Sequence, residues 1–475
     1  MSSSRRAGLA LAGIVALGAA LRFATLGDQS LWLDEAFTRR IAADPLGNML
    51  DLIRRGENTP PLYYALTWAW CQVAGTGEAA LRVTSALAGT ATIPVAYLIG
   101  RQVASRAAGL LAAALVAVSP FLVWYSQEAR AYALVVFLVS ASLLFALRHD
   151  DEPARRSLVA WSATAALAVA THYFATFVVL LEAAWLLRRP AARRAVLAGL
   201  APVIAVGLAL VPLALDQRRN EGAQVGDASI PSRVGDLAQE FLVGKYGGPV
   251  RGLAPLCALL IVAGGAVALA RAAPEARRRW LVPLGIGAGT ILVPMALAVV
   301  GVDYFATRYL AVAWVPLFAA LAAVLAARRL GAVAGVALAA VFLTVSVAVP
   351  FTPRLQRDDW RSAAAALGEP RGARAIVVNP DVGFVPLAAY EPEVEAPPGP
   401  RFAVSEIDVL VMTRDGRAPH AAAPVPGFSV LSADRDPTYV LTRFVADRPR
   451  AVEAARLTAP PYTPDPNGLV HESGP

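Results

Sequence analysis

Long apolar runs separated by short, arginine-bearing connections fill the first 350 positions of the chain. A bilayer-spanning helix needs about 20 mostly apolar residues, because the hydrocarbon core is roughly 30 Å thick and each residue rises about 1.5 Å. Eleven segments meet that description: 7–25, 82–100, 107–125, 131–147, 158–172, 173–187, 196–215, 250–270, 280–300, 308–327 and 331–350. The stretch 158–187 reads either as two short spans turning at His172 or as one long tilted helix. Between the first two spans, residues 35–56 alternate apolar and charged groups at helical spacing, which predicts one or two surface helices broken near Asp44-Pro45. Pro60 to Gly75 is apolar but short and aromatic, and predicts an interfacial or re-entrant helix opened by Pro60 and Pro61. A polar loop of about 34 residues follows Leu215, long enough for a lid or a second substrate contact.

After Pro350 the pattern becomes that of a soluble domain. Ala375–Asn379, Ile407–Met412, Phe428–Ser432 and Tyr439–Phe444 read as strands, and Asp359–Leu367 as a helix. From about Val445 the Pro-rich polar composition predicts a disordered tail. The expected organisation is an α-helical polytopic membrane protein: a transmembrane domain over 1–350 with a structured first outer loop at 26–81, a small α/β domain over 351–445, and a tail over 446–475.

Composition sharpens this picture. The chain is 57% hydrophobic and 16% charged, with a mean hydropathy of +0.53, well outside the range of soluble domains. Its formal charge is +8, and Lys245 is its one lysine, so arginine carries nearly all the positive charge. These arginines fall in small clusters between apolar runs, where the positive-inside rule expects them, and not in a nucleic-acid footprint. Threading the spans with the N-terminus inside puts the clusters at Arg101/Arg106, Arg148/Arg155/Arg156, Arg188–Arg194, Arg271–Arg279 and Arg328/Arg329 all on the cytoplasmic side. The α/β domain is then extracytoplasmic, the location is the plasma membrane, and Arg5 and Arg6 precede a retained anchor helix. Cys71 and Cys257 lie in apolar stretches and indicate neither a disulfide framework nor a metal cluster.

The same threading gathers five polar clusters at the outer ends of the helices. Asp34 and Glu35 follow Trp32 just past the first span; they are either functional carboxylates or first-turn acids favoured by the helix dipole. Glu57, Asn58 and Tyr63 flank Pro60-Pro61, suited to holding a sugar or to capping the next helix. Tyr125, Gln127, Glu128 and Arg130 occupy one outer turn, where Glu128 and Arg130 are also placed to pair with each other. His172, in Thr171-His172-Tyr173, is a candidate to share a divalent cation with a carboxylate, or simply to hydrogen-bond. Arg308, followed by Tyr309, and Arg82 each offer a planar fork for phosphate oxygens, or snorkel to headgroups.

Taken in order, Trp-x-Asp-Glu-Ala, Glu-x-x-Pro-Pro-Leu-Tyr-Tyr, Tyr-Ser-Gln-Glu-Ala-Arg-x-Tyr-Ala, Thr-His-Tyr and Arg-Tyr-Leu resemble the GT-C superfamily of membrane glycosyltransferases. The closest branch is family 39, which resembles protein O-mannosyltransferases and includes aminoarabinose transferases; the resemblance covers about 1–350. It implies the GT-C fold, a polyprenyl-phosphate sugar donor, and an acceptor hydroxyl on a glycan, lipid or protein at the outer face. It further implies Asp34 as catalytic base with Glu35 supporting it, Arg308 on the donor phosphate, and Glu57 at a polar or metal-binding position. Asn58-Thr59 stand where many relatives carry His or Lys. Direct attack on the donor implies inversion, with no covalent nucleophile. The rival readings are a transporter or flippase for a lipid-linked sugar, which calls for repeated halves and charges near the mid-membrane, and a sensor whose outer domain binds a ligand.

Overall fold

The computed structural model describes residues 3–218, 229–245, 253–413, 423–458 and 468–473. The chain is a multi-pass helical membrane protein with a small C-terminal sheet, and it packs as two units, Met1–Leu26 with Ile41–Ala348 and Gly27–Arg40 with Val349–Pro475.

All eleven expected segments are helical, in whole or in part. In the first unit these are α1 (Ser3–Phe23), α5 (Glu78–Val103), α6 (Arg106–Val118) with α7 (Pro120–Ser126), α8 (Tyr132–Asp151), α9 (Arg155–Thr171), α10 (Ala175–Leu187), α11 (Arg193–Gln217), α13 (Leu253–Ala270), α14 (Pro274–Val299), α15 (Trp314–Ala326) and α16 (Arg329–Ala348). Among the described residues, seven helices are long and apolar enough to cross a bilayer, or eight if one bent pair counts as a span. The ambiguous stretch resolves into two helices, α9 of 17 residues and α10 of 13, parted by a turn at His172. Arg308 lies in a 3-10 turn, Thr307–Ala313, that precedes α15 instead of opening an α-helix.

The expected single span 107–125 is broken. α6 and α7 meet at a bend of 57°, because Pro120 has no N–H for the Val116 carbonyl and Ser119 caps a new helix through Leu122 N. Arg22 of α1, with no exposed surface, fills the gap. Its guanidinium donates to Val116 O at 3.0 Å, Ala117 O at 2.8 Å, Gly18 O at 2.9 Å and Ser126 Oγ at 3.1 Å. The freed carbonyls are thereby satisfied in a fully buried setting, where each left unpaired costs several kcal/mol. α5 and α6 pack closely through glycine: a Cβ at Gly109 would stand 2.6 Å from Tyr97 O. Glu182 of α10 accepts from Ser142 Oγ at 2.5 Å and Trp161 Nε1 at 2.9 Å, tying α8, α9 and α10 together. This carboxylate at membrane depth thus serves helix packing.

The expected surface helices are α2 (Leu33–Ala43) and α3 (Met49–Gly56), joined by a 3-10 turn at Leu46–Asn48 after Pro45. α4 (Leu62–Ala74) is too short to span, at 13 residues. Ile41, Met49, Ile53, Tyr63, Tyr64 and Ala131 bury one another beneath it. Within the long polar loop lies α12 (Ile230–Val243), N-capped by Ser229; the loop's remainder falls largely outside the described residues.

In the second unit, β1 (Arg374–Asn379), β2 (Arg401–Met412), β3 (Ser429–Arg435), β4 (Tyr439–Glu453) and β5 (Leu469–Glu472) form one sheet in the order β3-β4-β2-β1-β5. β1 and β2 are parallel and the other pairs antiparallel. α17 (Trp360–Leu367) and α18 (Phe384–Tyr390) pack with Ile376, Val378 and Leu410, while Ala375, Val377 and Val409 join the core of the opposite face, as period-2 alternation requires. The expected disordered tail is corrected here: β4 runs on to Glu453, and Leu469–Glu472 pairs with β1. Composition missed this because Val470 packs into one core and Leu469 into the other, so two residues anchor a polar segment. A buried charge ladder across the sheet joins Arg374 to Glu472 and Asp408, and Arg443 to Asp408 and Glu406.

The connection between α1 and α5 is divided between the two units. Its Gly27–Arg40 segment belongs with the sheet domain. Arg361 donates to Asp28 O at 2.6 Å, Arg357 N to Gln29 Oε1 at 3.0 Å, and Arg39 to Ala389 O at 2.8 Å. Ser30 Oγ donates to Asp358 O at 2.8 Å and accepts from Trp360 N at 3.0 Å, and Leu31 N donates to Tyr390 Oη at 2.6 Å. Tyr390→Phe leaves the buried Leu31 N–H without its acceptor, a cost of about 1–3 kcal/mol. Faster amide exchange at Leu31, read by hydrogen-exchange mass spectrometry, is the expected result; unchanged protection of that peptide would show that the bond does not hold the segment.

Candidate active site

Asp34 and Glu35 occupy the first turn of α2, where the dipole favours carboxylates. Asp34 is partly exposed, whereas Glu35 is fully buried. Asp34 thus keeps contact with solvent and Glu35 does not.

In the other unit, the turn after α3, the turn after α7 and the end of α11 build a second polar group. Arg130 pairs with Glu57 at 2.6 Å, both side chains being almost wholly buried, and its guanidinium lies 6.0 Å from the Tyr64 ring centre. Arg130 thus has a partner, Glu57, that lies in a different loop from its sequence neighbour Glu128. Thr59 Oγ1 and Tyr64 Oη bond at 2.9 Å, and burial holds the Tyr64 phenol well above its usual range. Gln217 completes the group, donating to Thr59 O at 3.1 Å and Ile53 O at 3.3 Å and accepting from Tyr173 Oη at 2.7 Å.

Next to it lies an aromatic wall. His172 is buried, with ring centres of Tyr132, Phe174 and Tyr309 at 5.7, 5.8 and 5.4 Å. Its Nδ1 accepts from Phe174 N at 3.2 Å, which makes the ring neutral with the proton on Nε2. Tyr125 packs 4.9 Å from Tyr132 and feels the charges of Glu128, Glu240 and Arg308. Arg308 is half-buried, 5.2 Å from the Tyr309 ring centre, and its charge acts on His172, Tyr125 and Glu240 alike. The structure thus gathers Arg308, Tyr309, His172, Tyr125 and Glu128 around one region.

Other expected site residues have structural work. Arg82, buried at 1% exposure, donates to Leu26 O at 2.9 Å. Tyr63 bonds Ser85 at 2.9 Å, and Gln127 braces Leu21 O at 3.0 Å and Thr25 Oγ1 at 2.9 Å. Asn58 is half-buried, its Oδ1 unbonded. Glu57 and His172 do not fit a shared cation: the carboxylate is taken by Arg130, and the histidine nitrogen not bonded to Phe174 carries its proton. Among the described residues, no three His, Cys, Asp or Glu side chains are placed to hold a metal together.

The residues not anticipated lie on α12. Arg233 grips Asp303 through two bonds, of 2.6 and 2.9 Å, and donates to Phe305 O at 3.1 Å, fixing the turn that leads to Arg308. That pairing holds the Asp303 carboxyl below its usual range. Glu240 is pushed up to about 7, chiefly by burial and further by Asp236, against the pull of Lys245 and Arg308. Phe241 packs 4.3 Å from Trp314 and 4.9 Å from Phe121. Beyond them an apolar groove of about 500 Å³ is lined by Phe241, Leu242, Ile261, Leu284, Trp314 and Phe318, from α12, α13, α14 and α15. The amphipathic pattern Val234, Leu237, Phe241 was the available signal.

Two outcomes follow. Removing either member of the Glu57–Arg130 pair, by Glu57→Gln or Arg130→Ala, should destabilise the protein by about 3–5 kcal/mol, because one buried charge is stranded; thermal unfolding in detergent measures it, and a shift near zero refutes a buried pair. Glu240 carries the opposite pH sign to an ordinary carboxylate. Its folded value lies above its unfolded one, so its contribution to α12 stability is full below about 4.5 and is lost as pH rises through about 7. Exchange protection of α12 should fall over that window in the native protein and stay flat in Glu240→Gln.

Residues 58–215, about a third of the chain, match the family model described as dolichyl-phosphate-mannose-protein mannosyltransferase. No curated protein matches the chain. Among solved structures, the chain is similar to ArnT from Cupriavidus metallidurans bound to undecaprenyl phosphate, at 17% identity, covering 94% of this chain and 99% of that one with a TM-score of 0.44. It is also similar to the mycobacterial arabinofuranosyltransferase AftD, at 17% identity over 94% of this chain and 40% of that one, TM-score 0.46. A shorter similarity, 16% identical over 45% of this chain and 32% of the other with a TM-score of 0.32, is to the S. cerevisiae protein O-mannosyltransferase Pmt1-Pmt2 complex bound to the sugar donor. The family match bears out, over 58–215, the resemblance to the protein O-mannosyltransferase-like membrane glycosyltransferases that the ordered motifs carry.

Proposed function

We propose that the protein transfers a sugar from a polyprenyl-phosphate donor to an acceptor hydroxyl, with inversion, at the outer face of the plasma membrane. The observation that carries this reading is the pairing of a guanidinium with an apolar groove. Arg308 sits in the 3-10 turn that runs directly into α15, and Trp314, the first residue of α15, lines the groove. A ligand with an anionic head and a long hydrocarbon tail matches that sequence of environments. α12 borders both parts, with Glu240 toward Arg308 and Phe241 toward the groove. The family match over 58–215 supports the same donor class.

The chemistry asks little more. A sugar on a polyprenyl phosphate already bears a good leaving group. The acceptor oxygen bonds to the anomeric carbon as the bond from that carbon to the phosphate oxygen breaks. The acceptor proton passes to the Asp34 carboxylate, and Arg308 stabilises the charge that gathers on the departing phosphate. General-base catalysis of this kind is typically worth 10² to 10⁴ in rate, and a fixed guanidinium lowers the barrier without reorganising at the moment of reaction. The half-buried Tyr309 ring, backed by His172, offers an aromatic surface to a sugar.

Asp34→Asn should lower transfer from an undecaprenyl-phosphate sugar by roughly 10² to 10⁴ while donor binding and the melting temperature hold; transfer at the native rate would remove Asp34 from the reaction. Arg308→Ala should weaken binding of undecaprenyl phosphate by roughly tenfold to a hundredfold, the equivalent of about 1.5–3 kcal/mol for a charged hydrogen bond. Equal affinity in native protein and variant, measured by native mass spectrometry, would overturn the phosphate role.

A further inference from the structure

The arginine-rich end of the helical bundle, away from Arg308, contains a second built cleft. It has a volume of about 220 Å³ and lies among the ends of α5, α8 and α10 and the start of α14. Four guanidiniums line it, Arg188, Arg189, Arg278 and Arg279, against the two carboxylates Asp150 and Asp151. Those carboxylates are already engaged. Asp150, itself buried, takes Arg188 at 2.8 Å and Arg189 at 2.7 Å, and Asp151 accepts from Gln102 at 2.6 Å. Arg278 and Arg279 form no ion pair within 4 Å among the described residues, so four guanidiniums share two carboxylates. Val103, Leu147 and Val282 supply an apolar wall, and Trp185 stands at the edge with the Arg188 guanidinium 4.5 Å from its ring centre.

We propose that this cleft binds the phosphodiester headgroup of an anionic phospholipid. The charge excess calls for an anion, and two forks held by one buried carboxylate are set in position before any ligand arrives. An apolar wall beside the guanidiniums and a tryptophan at the rim fit a phosphate attached to acyl chains better than a free phosphate. Ordinary positive-inside arginines need no cleft. Arg278 and Arg279 are exposed, as are Arg328 and Arg329 beside the start of α16, but the first pair lines the cleft and the second does not. The site is independent of the proposed transfer reaction.

The test uses the full chain in detergent and in nanodiscs. Arg278→Gln/Arg279→Gln is compared with the native protein and with Arg328→Gln/Arg329→Gln, which removes the same charge outside the cleft. Native mass spectrometry should show phosphatidylglycerol binding the native protein and the 328/329 variant alike, and the 278/279 variant about tenfold more weakly. Nanodiscs of phosphatidylglycerol should raise the melting temperature over nanodiscs of phosphatidylcholine, and the 278/279 variant should lose that difference. Equal losses in both double variants would reduce the effect to diffuse charge and overturn the site. An equal stabilisation by inorganic phosphate in lipid-free detergent would overturn its assignment to lipid.

Discussion

Arg22 has no exposed surface and ends in three backbone carbonyls and a serine hydroxyl. A buried charged group is costly unless its donors find acceptors, and the Pro120 break supplies two of the three carbonyls that Arg22 bonds. The bend and the arginine therefore require each other. Without the bend, Val116 O and Ala117 O would be spent inside the helix; without Arg22, they would be stranded in hydrocarbon. The 57° turn redirects α7 and ends in the Tyr125–Arg130 cluster. Gln127 fastens that cluster back to α1. A structural charge in the first helix thus determines where the polar residues of the third expected cluster stand.

The polar region depends on a second economy, the use of loops to satisfy loops. Arg130 reaches Glu57, Gln217 reaches the backbone at Ile53 and Thr59, and Arg233 reaches Asp303. Each bond ties one connection to another from a distant part of the chain. The Arg308 guanidinium lies against the Tyr309 ring, which in turn packs on His172. Positions that sequence motifs mark as a set accordingly divide into those that build the region, such as Arg82, Tyr63 and Gln127, and those that line it.

The C-terminal sheet domain takes in the segment that carries Asp34. The bonds from Ser30, Leu31, Gln29 and Arg39 to residues 357–390 give that domain a part in fixing the conformation of the candidate base. The domain can do so because its own register is rigidly set. Arg374 lies opposite Glu406 and Glu472, and Asp408 opposite Arg443, so a one-residue slip would strand buried charges.

Hydrophobic runs and arginine spacing were enough to find every long helix, since the bilayer demands one length and one composition from each. The motifs around Asp34, Glu57, Tyr125, His172 and Arg308 stood out for the same reason: polar groups at helix ends are few in such a chain. Pairing was not legible. Arg130 meets Glu57 across 73 positions, a partner that sequence neighbourhood does not suggest, because the α7–α8 turn faces the loop after α3. Nor could composition reveal that Leu469–Glu472 completes a sheet, that Gly27–Arg40 packs with residues beyond Val349, or that α12 brings Glu240 beside Arg308. Periodicity is a local property set by backbone geometry and solvent, and one chain displays it. Which buried donor meets which acceptor depends on distances closed only by the folded bundle, and tertiary structure alone decides that.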